Sequence, residues 1–270
     1  MPCFMKIALF QMDIAWLDFR ANLNKIRNAV EDAEAQGSRI LVLPEMALSG
    51  FCMEREFAAK ELGSPELLEL ASMTRGKHIL VFAGAAIKNG GKYTNECLVL
   101  RNGEILTSYA KMNLFPVTNE QDHYEPGNRL LTVEYEGYRF TPLICFDTRF
   151  IGPFTQAAAE GTDAFIIIAS WPDVRAQQWK ILLSARAMDT QSFVLGVNRI
   201  GSGGGMGFSG DCMVVGPSGK PMFEYSSNEK LIVTEVDFGY ARKLRETFPA
   251  IAKQHQNQPK VRLEKLSIRG

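Results

Sequence analysis

The sequence is poor in histidine and cysteine and has no excess of either charge. Its 270 residues include three histidines and five cysteines, and 30 Lys and Arg residues balance 30 Asp and Glu residues. A balanced charge excludes a polybasic nucleic-acid-binding arm and an acidic tail. The histidines share no spacing with cysteines or acidic residues that is typical of a zinc site. We therefore expect no nucleic-acid partner and no bound metal.

Long hydrophobic runs are also absent. The strongest apolar stretch, AFIIIASW, is far shorter than the roughly 20 residues that a membrane-spanning helix needs. The N-terminal MKIALFQMD is interrupted by Gln11 and Asp13 before it could form the apolar region of a secretory signal. The cysteines are odd in number and lack C-x-x-C pairing, which argues against a disulfide framework. These absences predict a soluble, cytoplasmic protein without a membrane partner.

The residues that are present alternate between short apolar runs and helical patterns. RILVLP, HILVFAGAAI and DAFIIIAS are short and almost entirely apolar, which is typical of strands covered on both faces of a sheet. Asp18 can cap a helix in which apolar residues recur with a period of 3.6. A second helical pattern covers about Leu67–Lys77. This alternation indicates an α/β protein with a mixed sheet.

No linker or shift in composition divides the chain, so we predict a single domain over residues 1–270. Its catalytic body spans about 5–248, and we expect the polar tail over 249–270 to pack on the body or on a partner. The irregular segment 112–129 predicts a long functional loop. GMGFSG at 205–210 satisfies G-x-G-x-x-G but precedes a strand, whereas a dinucleotide-binding fingerprint follows a strand and opens a helix. We interpret it as a flexible loop at a pocket rim.

Three predicted strands end on residues with chemical capability, Glu45, Lys111 and Cys145. Reactive groups of covered α/β sheets collect beyond the carboxyl ends of strands. Each residue alone has an ordinary structural explanation, such as a small buried thiol at Cys145. Together they suit an amide hydrolase, in which the lysine lowers the pKa of the thiol and the glutamate accepts and returns the proton. The lysine and the backbone N–H of Phe146 would stabilise the oxyanion.

The segments around these residues resemble those of a known family. LPEMALSGF, YAKMNLFP and PLICFDTRF are similar, in order and in spacing, to the three catalytic boxes of the nitrilase superfamily, the carbon–nitrogen hydrolases. The resemblance implies that Glu45 is the general base, Lys111 the charge stabiliser and Cys145 the nucleophile. Glu120 occupies the place of the family's second glutamate, which orients the lysine and the substrate. No metal or organic cofactor is implied.

The same resemblance implies the architecture. Carbon–nitrogen hydrolases of this kind have a four-layer α-β-β-α sandwich, in which two mixed sheets are flanked by helices. It also implies a homodimer that packs through one helical layer and so extends the sandwich to eight layers. The Trp179–Ala187 helix is a candidate interface element, because an aromatic-led apolar face suits either a core or an interface.

The segment ASWPDVRAQQWKILLSARAMDTQSFVLGVNRIG is similar to the branch of small ω-amidases that act on 2-oxoacid amides. This resemblance implies hydrolysis of a small carboxamide such as 2-oxoglutaramate or 2-oxosuccinamate to the acid and ammonia, through a cysteine thioester. Deaminated glutathione, an N-carbamoyl compound or a nitrile are alternative substrates for the same chemistry. A catalytically silent binding protein on the same fold is a more distant alternative.

Several residues near the boxes are candidates for contact with the substrate. His123 could line the pocket, and a Cys145–His123 dyad is the main mechanistic alternative. Arg175 and Arg199 are candidate anchors for a substrate carboxylate. The candidate substrate-binding residues are Asn113, Phe115, His123, Trp171 and Arg175.

Three further residues within the boxes have less direct roles. Many relatives have a histidine where Asn113 stands, so this position bears on substrate choice and not on the reaction. Asp147 and Arg149 follow the cysteine closely, and we interpret them as structural partners of the nucleophile's turn.

Overall fold

The computed structural model describes residues 4–225 and 228–251. The predicted tail over 249–270 therefore lies, from residue 252 onward, outside the described residues. None of the α-helices within these ranges is long and apolar enough to cross a membrane.

Short strands alternate with helices along most of the chain, as the sequence pattern predicts. The strands are β1 (Met5–Gln11), β2 (Ile40–Val42), β3 (Leu80–Asn89), β4 (Lys92–Arg101), β5 (Glu104–Ala110), β6 (Val133–Tyr135), β7 (Tyr138–Ile144), β8 (Ala164–Ala169), β9 (Phe193–Asn198), β10 (Ile200–Gly203), β11 (Met206–Ser209), β12 (Cys212–Val215), β13 (Pro221–Tyr225) and β14 (Lys230–Val236). The α-helices are α1 (Phe19–Ala35), α2 (Arg55–Ala58), α3 (Pro65–Ser72), α4 (Ile151–Ala159), α5 (Ala176–Thr190) and α6 (Gly239–Thr247).

The strands form two six-stranded mixed sheets and one short hairpin. The first sheet has the spatial order β14–β1–β2–β3–β4–β5, and the second has the order β13–β12–β9–β8–β7–β6. Strands β1, β2 and β3 run parallel in the first sheet, and β7, β8 and β9 run parallel in the second. The outer strands of both sheets pair antiparallel. The predicted pair of mixed sheets is confirmed.

Side chains of the first sheet enter two different cores. In β1, Ile7 and Leu9 join a core shared with the second sheet, α4 and α5, whereas Ala8 and Phe10 pack with α1 and α3. Successive side chains of a strand point to opposite faces of its sheet, so the alternation separates the two cores. The layers therefore run from α1 and α3 through the two sheets to α4 and α5. This is the α-β-β-α sandwich that the resemblance implies.

The helix predicted over Leu67–Lys77 is shorter in the structure. Ser64 caps α3 by accepting a hydrogen bond from the backbone N–H of Leu67, and the next residue is a proline, which suits the first position of a helix. The helix ends at Ser72. Beyond it the hydroxyl of Thr74 donates to the carbonyl of Ala71, and Gly76 has a φ of 70°. These contacts turn the chain towards β3 several residues earlier than the sequence pattern indicates.

Helix α5 buries, within its own chain, the apolar face that the sequence pattern left open as part of a core or of an interface. Trp179, Leu183 and Ala187 are buried within the same chain, where they belong to the core of the second sheet. The opposite face carries Ile181 and Met188, and each is 58% exposed. An apolar pattern with a period of 3.6 does not distinguish a face packed in the protomer from a face that is left uncovered.

The glycine run at 205–210 is ordered differently from the predicted flexible loop. Strands β10 and β11 pair as an antiparallel hairpin, with Gly203 opposite Met206. The ring of Trp16 packs closely here, since a Cβ added at Gly203 or Gly204 would lie 2.8 Å from it. The prediction of a loop was wrong, because residues 206–209 pair as a strand of this hairpin. The glycines that make room for the ring, Gly203 and Gly204, stand just before the run.

Candidate active site

The structure brings together the three residues predicted at strand ends. Lys111 directly follows β5, Glu45 lies shortly after β2, and both belong to the first sheet. Cys145 directly follows β7 of the second sheet. The side chains of Glu45 and Lys111 are fully buried, and Cys145 is 6% exposed. The residues therefore meet between the two sheets, and Cys145 alone of the three has contact with the outside.

Lys111 lies between two buried carboxylates. Its Nζ donates a hydrogen bond to Glu45 Oε1 at 2.9 Å and another to Glu120 Oε2 at 2.8 Å. Glu120 Oε2 also accepts the backbone N–H of Phe115 at 2.7 Å. Glu120 is fully buried and starts a short 3₁₀ turn, Glu120–Asp122, in the irregular segment after β5. A lysine ammonium has three donors, so one remains for a group that enters the site.

The second sheet holds Glu45 from the opposite side. Ser170 directly follows β8, and its backbone N–H donates to Glu45 Oε2 at 2.7 Å. Glu45 is therefore bonded by groups from both sheets and cannot rotate freely. A general base in this arrangement is held in one orientation before any substrate arrives.

The backbone near Glu45 approaches β3 very closely. A Cβ added at Gly84, in the middle of β3, would lie 2.3 Å from the carbonyl oxygen of Pro44 and 2.6 Å from Glu45 Cα. Glycine is the residue that permits such an approach. The position of Glu45 therefore depends on the missing side chain of Gly84.

Cys145 has a left-handed backbone, with φ at 45°. A non-glycine residue in this conformation is strained, by about 1–3 kcal/mol, and persists only where its surroundings hold it. Asp147 supplies that support: its Oδ2 accepts the N–H of Ile144 at 3.0 Å and the hydroxyl of Tyr109 at 2.7 Å. Its Oδ1 accepts both the backbone N–H and the side-chain amide of Asn113. The turn thus presents the thiol in a fixed direction.

Burial and charge act in opposite directions on the ionisable groups. The pKa of the Cys145 thiol is raised, first by burial and then by the nearby charge of Glu45, while Lys111 pulls it down. Burial alone would lower the pKa of Lys111, but the charges of Glu120 and Glu45 raise it well above its usual range. Burial raises the pKa of Glu120, and Lys111 opposes that shift. The expected lowering of the thiol pKa by Lys111 is therefore present but outweighed by burial.

A small aromatic cavity ends at the thiol. The empty space in it, counted together with the solvent at its mouth, is about 290 Å³. The rings of Phe115 and Phe146 meet edge-on at 5.4 Å between their centroids and form part of its wall. Two arginines lie among the lining residues, which are Phe51, Phe115, Cys145, Phe146, Arg149, Ser170, Trp171, Pro172 and Arg175.

Three of the five candidate substrate-binding residues line this cavity, namely Phe115, Trp171 and Arg175. Asn113 and His123 are not among the lining residues. Asn113 bonds Asp147 instead, and the carbonyl of His123 accepts a hydrogen bond from Arg55. No hydrogen bond joins His123 to the thiol in the part of the chain that the structure describes.

The second candidate anchor, Arg199, lies in another part of the fold. It is fully buried, and it donates to the carbonyls of Ile14 and Ser202. Burial lowers the pKa of this guanidinium to about 10, and Asp13 opposes the shift. Arg199 ties the β10–β11 hairpin to the body and does not face the thiol's cavity.

Sequence reasoning missed four residues of the site. Asn95 is fully buried in β4, and its amide bonds both glutamates. Ser170 contacts Glu45 through its backbone, and Phe51 and Arg149 line the cavity. A polar residue among the buried positions of a predicted strand was the one available signal for Asn95. Phe51 and Arg149 stand within the quoted boxes, but their place on the cavity wall depends on packing between distant elements. The backbone contact of Ser170 leaves no signal in the sequence.

Within residues 4–225 and 228–251, no group of three or more His, Cys, Asp or Glu side chains is arranged to hold a metal ion. The four cysteines in these ranges, Cys52, Cys97, Cys145 and Cys212, are all buried free thiols. Cys97 and Cys212 lie in the core, where burial raises the pKa of each.

The sequence is similar to those of known hydrolases over nearly its whole length. The pattern of the carbon–nitrogen hydrolase family matches residues 6–246. The omega-amidase YafV of Escherichia coli K12 is 33% identical over 249 residues, which cover 91% of this chain and 95% of that protein. The 2-oxoglutaramate amidase of Bacillus subtilis is 29% identical over 246 residues, which cover 90% of this chain and 95% of that protein.

Solved structures show the same fold. XC1258 from Xanthomonas campestris, a CN-hydrolase superfamily protein with an arsenic adduct in its active site, superposes with a TM-score of 0.87 at 28% identity, covering 96% of this chain and 99% of that one. A variant of the amidase from Nesterenkonia sp. AN1 has a TM-score of 0.79 at 25% identity, covering 94% and 97% of the two chains. In that variant the acetamide moiety of fluoroacetamide is added covalently at the active-site cysteine.

Proposed function

Because this chain belongs to the carbon–nitrogen hydrolase family, we propose that it hydrolyses a short carboxamide that carries a carboxylate at its far end. The chain is an amidohydrolase that uses a cysteine nucleophile, as its amidase relatives indicate. The finer proposal concerns the substrate, which we take to be a 2-oxoacid ω-amide such as 2-oxoglutaramate or 2-oxosuccinamate. The names of the omega-amidase and 2-oxoglutaramate amidase relatives support this choice.

One observation carries the proposal: the thiol and the arginines lie at different depths of the same cavity. Cys145 is almost fully buried beside Lys111 and two carboxylates. Arg175 is half-buried and Arg149 is exposed, and both line the same cavity. The buried end thus offers a nucleophile and a base, and the outer end offers positive charge. A short molecule with an amide at one end and a carboxylate at the other matches both ends.

Acylation begins with a proton transfer from Cys145 to Glu45. The raised pKa of the thiol means that the resting enzyme holds it neutral, so the base must accept the proton as sulfur attacks the amide carbon. Lys111 and the backbone N–H of Phe146 stabilise the oxyanion. Phe146 lies in the first turn of a short 3₁₀ helix, where leading N–H groups have no partner within the helix. Glu45 then protonates the amide nitrogen, ammonia leaves, and a thioester remains on Cys145.

Deacylation reverses the roles of the same groups. Glu45 takes a proton from a water molecule, and the resulting hydroxide attacks the thioester carbon. The carbon–sulfur bond breaks, the carboxylic acid leaves, and Cys145 recovers its proton from Glu45. Overall one water and one amide give one acid and one ammonia. Glu120 keeps Lys111 directed into the site through its hydrogen bond, while Phe115 N–H keeps Glu120 in place.

Arg175 is the stronger anchor of the two arginines. Its guanidinium makes no ion pair or hydrogen bond with any described residue, and it lies 5.8 Å from the ring centroid of Phe115. The backbone carbonyl of Arg175 accepts the indole N–H of Trp171 at 2.9 Å, which fixes the turn that carries it. Arg149, by contrast, has a side-chain partner, because its guanidinium donates a hydrogen bond to Gln178. An unpaired guanidinium at the outer end is free to bind a carboxylate in a bidentate manner.

Changing Arg175 to alanine is expected to raise the KM for 2-oxoglutaramate by about 10- to 100-fold and to change kcat little. A hydrogen bond to a charged group contributes about 1.5–3 kcal/mol, and each 1.4 kcal/mol is tenfold in affinity. The measurement is ammonia release as a function of substrate concentration. A neutral amide of the same length, assayed in parallel, should show the same KM with both enzymes.

Arg20→Ala is the matched control, because Arg20 is an exposed arginine of α1 on the other side of the two sheets. It should leave both KM values unchanged. If Arg175→Ala raises the KM for the neutral amide as much as the KM for 2-oxoglutaramate, the arginine shapes the cavity and does not bind a carboxylate. The enzyme should also be tested on deaminated glutathione, an N-carbamoyl amino acid and a simple nitrile. If one of these is turned over faster than 2-oxoglutaramate, that compound replaces it as the proposed substrate.

We propose further that the enzyme is a homodimer that packs through α5. Ile181 and Met188 lie on the uncovered face of this helix, seven residues apart, and each exposes more than half of its surface. Apolar side chains exposed on one helix face are typical of an interface. Native sizing should give about twice the 30.1 kDa of one chain. If the unchanged enzyme has the mass of one chain at working concentration, the dimer is contradicted. The double variant Ile181→Lys with Met188→Lys should be a monomer.

A further inference from the structure

Asn95 lies between the two glutamates that flank Lys111. It belongs to β4 and is fully buried. Its Nδ2 donates to Glu45 Oε1 at 2.7 Å and to Glu120 Oε1 at 3.0 Å. The backbone carbonyl of Asn95 also accepts the N–H of Lys111 at 2.8 Å, which fixes β4 to the start of the lysine's turn. One neutral side chain therefore touches both carboxylates of the site.

The orientation of the Asn95 amide is dictated by its neighbours. An ionised carboxylate accepts hydrogen bonds and donates none, so the NH₂ end must face Glu45 and Glu120. The other end, Oδ1, is buried and has no hydrogen-bond partner among the residues that the structure describes. A buried carbonyl without a partner is costly, and such groups call for a functional explanation. The two hydrogen bonds that the amide donates to the glutamates supply that explanation.

Those donors leave Glu45 with two unequal oxygens. Oε1 accepts hydrogen bonds from Asn95 and Lys111, which together occupy both of its lone pairs. Oε2 accepts one hydrogen bond, from the backbone N–H of Ser170, and keeps one lone pair. A proton that arrives at Glu45 therefore binds at Oε2. We infer that Asn95 is a positioning residue that blocks Oε1 and so directs the thiol proton of Cys145 to Glu45 Oε2.

This inference rests on the proposed function, in which Glu45 is the base. The titratable groups that face Glu45 are Lys111 after β5, Glu120 in its 3₁₀ turn and Cys145 after β7. One ammonium serves two carboxylates, so the neutral donors of Asn95 supply stabilisation that a second cation would otherwise have to provide. The hydrogen bond from Asn95 also lowers the pKa of Glu120, against the effect of burial. Without it the pKa of Glu120 would rise further, so Glu120 would retain a proton to higher pH.

The test compares Asn95→Leu and Asn95→Asp with the unchanged enzyme. Leucine keeps the size and removes both donors, and aspartate keeps the shape and adds a third carboxylate. We expect kcat to fall about 100-fold in Asn95→Leu with KM nearly unchanged, an effect of the order of general acid–base catalysis. The acid limb of the kcat/KM profile should move to higher pH by about one unit in Asn95→Leu and further in Asn95→Asp. The readouts are ammonia release from pH 5 to 9 and the rate of acyl-enzyme formation in a single turnover.

Cys97→Ala provides the matched control, because Cys97 lies two residues further along β4 and is buried on the same face. It alters packing without touching a carboxylate, so its pH profile should match that of the unchanged enzyme. An Asn95→Leu enzyme with an unshifted acid limb and nearly full kcat would overturn the inference. If that variant does not fold, an unshifted acid limb in the isosteric Asn95→Asp would overturn it equally. Failure of the unchanged enzyme to release ammonia from any amide would instead remove the proposed function.

Discussion

Replacing Cys145 by alanine is expected to abolish ammonia release, with a loss of about 10⁴- to 10⁶-fold, while the fold is preserved. The thiol is the group at the buried end of the cavity that can attack a carbonyl carbon, and alanine offers no replacement for it. The thiol is hydrogen-bonded by the backbone of Ser170, whereas the turn itself is held by Asp147 through the backbone N–H of Ile144. The free energy of unfolding should therefore change little, as measured by denaturant titration of both proteins.

Mass spectrometry can test the role of Cys145 in the unchanged enzyme, without a substitution. Incubation of the unchanged enzyme with substrate and hydroxylamine should release a hydroxamate, and a brief acid quench should show the acyl group on the peptide that contains Cys145. Cys97→Ala is the control for removal of a buried thiol, since Cys97 lies in the core away from the cavity. Near-normal turnover by Cys145→Ala, or acylation at another residue, would contradict the assignment of the nucleophile.

Replacing Lys111 by methionine is expected to destroy activity and to destabilise the protein as well. The ammonium separates two fully buried carboxylates, at 2.9 Å from Glu45 and 2.8 Å from Glu120. Removal of one partner from a buried ionic group leaves an uncompensated charge and costs about 3–5 kcal/mol. Loss of an oxyanion donor lowers kcat by a further factor of about 10² to 10³. Both effects are measurable, by denaturant titration and by ammonia release.

The pH dependence of that destabilisation gives a sharper test. Two carboxylates without the ammonium hold a proton more tightly in the folded state than in the unfolded state. A group whose folded pKa is raised in this way adds stability as the pH falls, so Lys111→Met should recover stability relative to the unchanged enzyme towards pH 5.

A double variant is the control for charge. Lys111→Met with Glu120→Gln removes one charge of each sign and should regain part of the stability at neutral pH, but none of the activity. If Lys111→Met is as stable as the unchanged enzyme at neutral pH, the lysine is not the counter-ion of this pair.

The sequence predicts this site well where a reactive side chain stands at the end of an apolar run. Glu45 and Cys145 each follow a strand whose residues are mostly buried, so the run itself marks where the chain emerges at the edge of a sheet. The strand before Lys111 has one buried residue, and there the prediction depended on the resemblance of the box. The two mixed sheets and their helical layers follow from the same pattern of short apolar runs and 3.6-residue periods, together with the resemblance of the boxes. Those signals are local, and each needs only one segment of chain to be recognised.

Contacts across the two sheets could not be predicted in the same way. Ser170 acts on Glu45 through a backbone N–H that any residue would supply, so its identity carries no signal. Asn95 stands in a strand whose alternation predicts burial but not which carboxylates it meets. The buried side of α5 and the hairpin at the glycine run could not be predicted for a related reason. Which side of a helix is buried depends on the element that packs against it. In the same way, the close approach of Gly203 and Gly204 depends on the ring of Trp16, which lies far away in the sequence.

The division of the active site between the sheets has a consequence for the chain as a whole. Glu45 and Lys111 follow strands of the first sheet, and Cys145 and Ser170 follow strands of the second. Strand β14 comes late in the chain and pairs with β1, so a chain cut between β5 and β6 would also remove one edge strand from the first sheet. The proposed chemistry therefore requires both parts of the chain to complete each other's sheets before the four residues can meet.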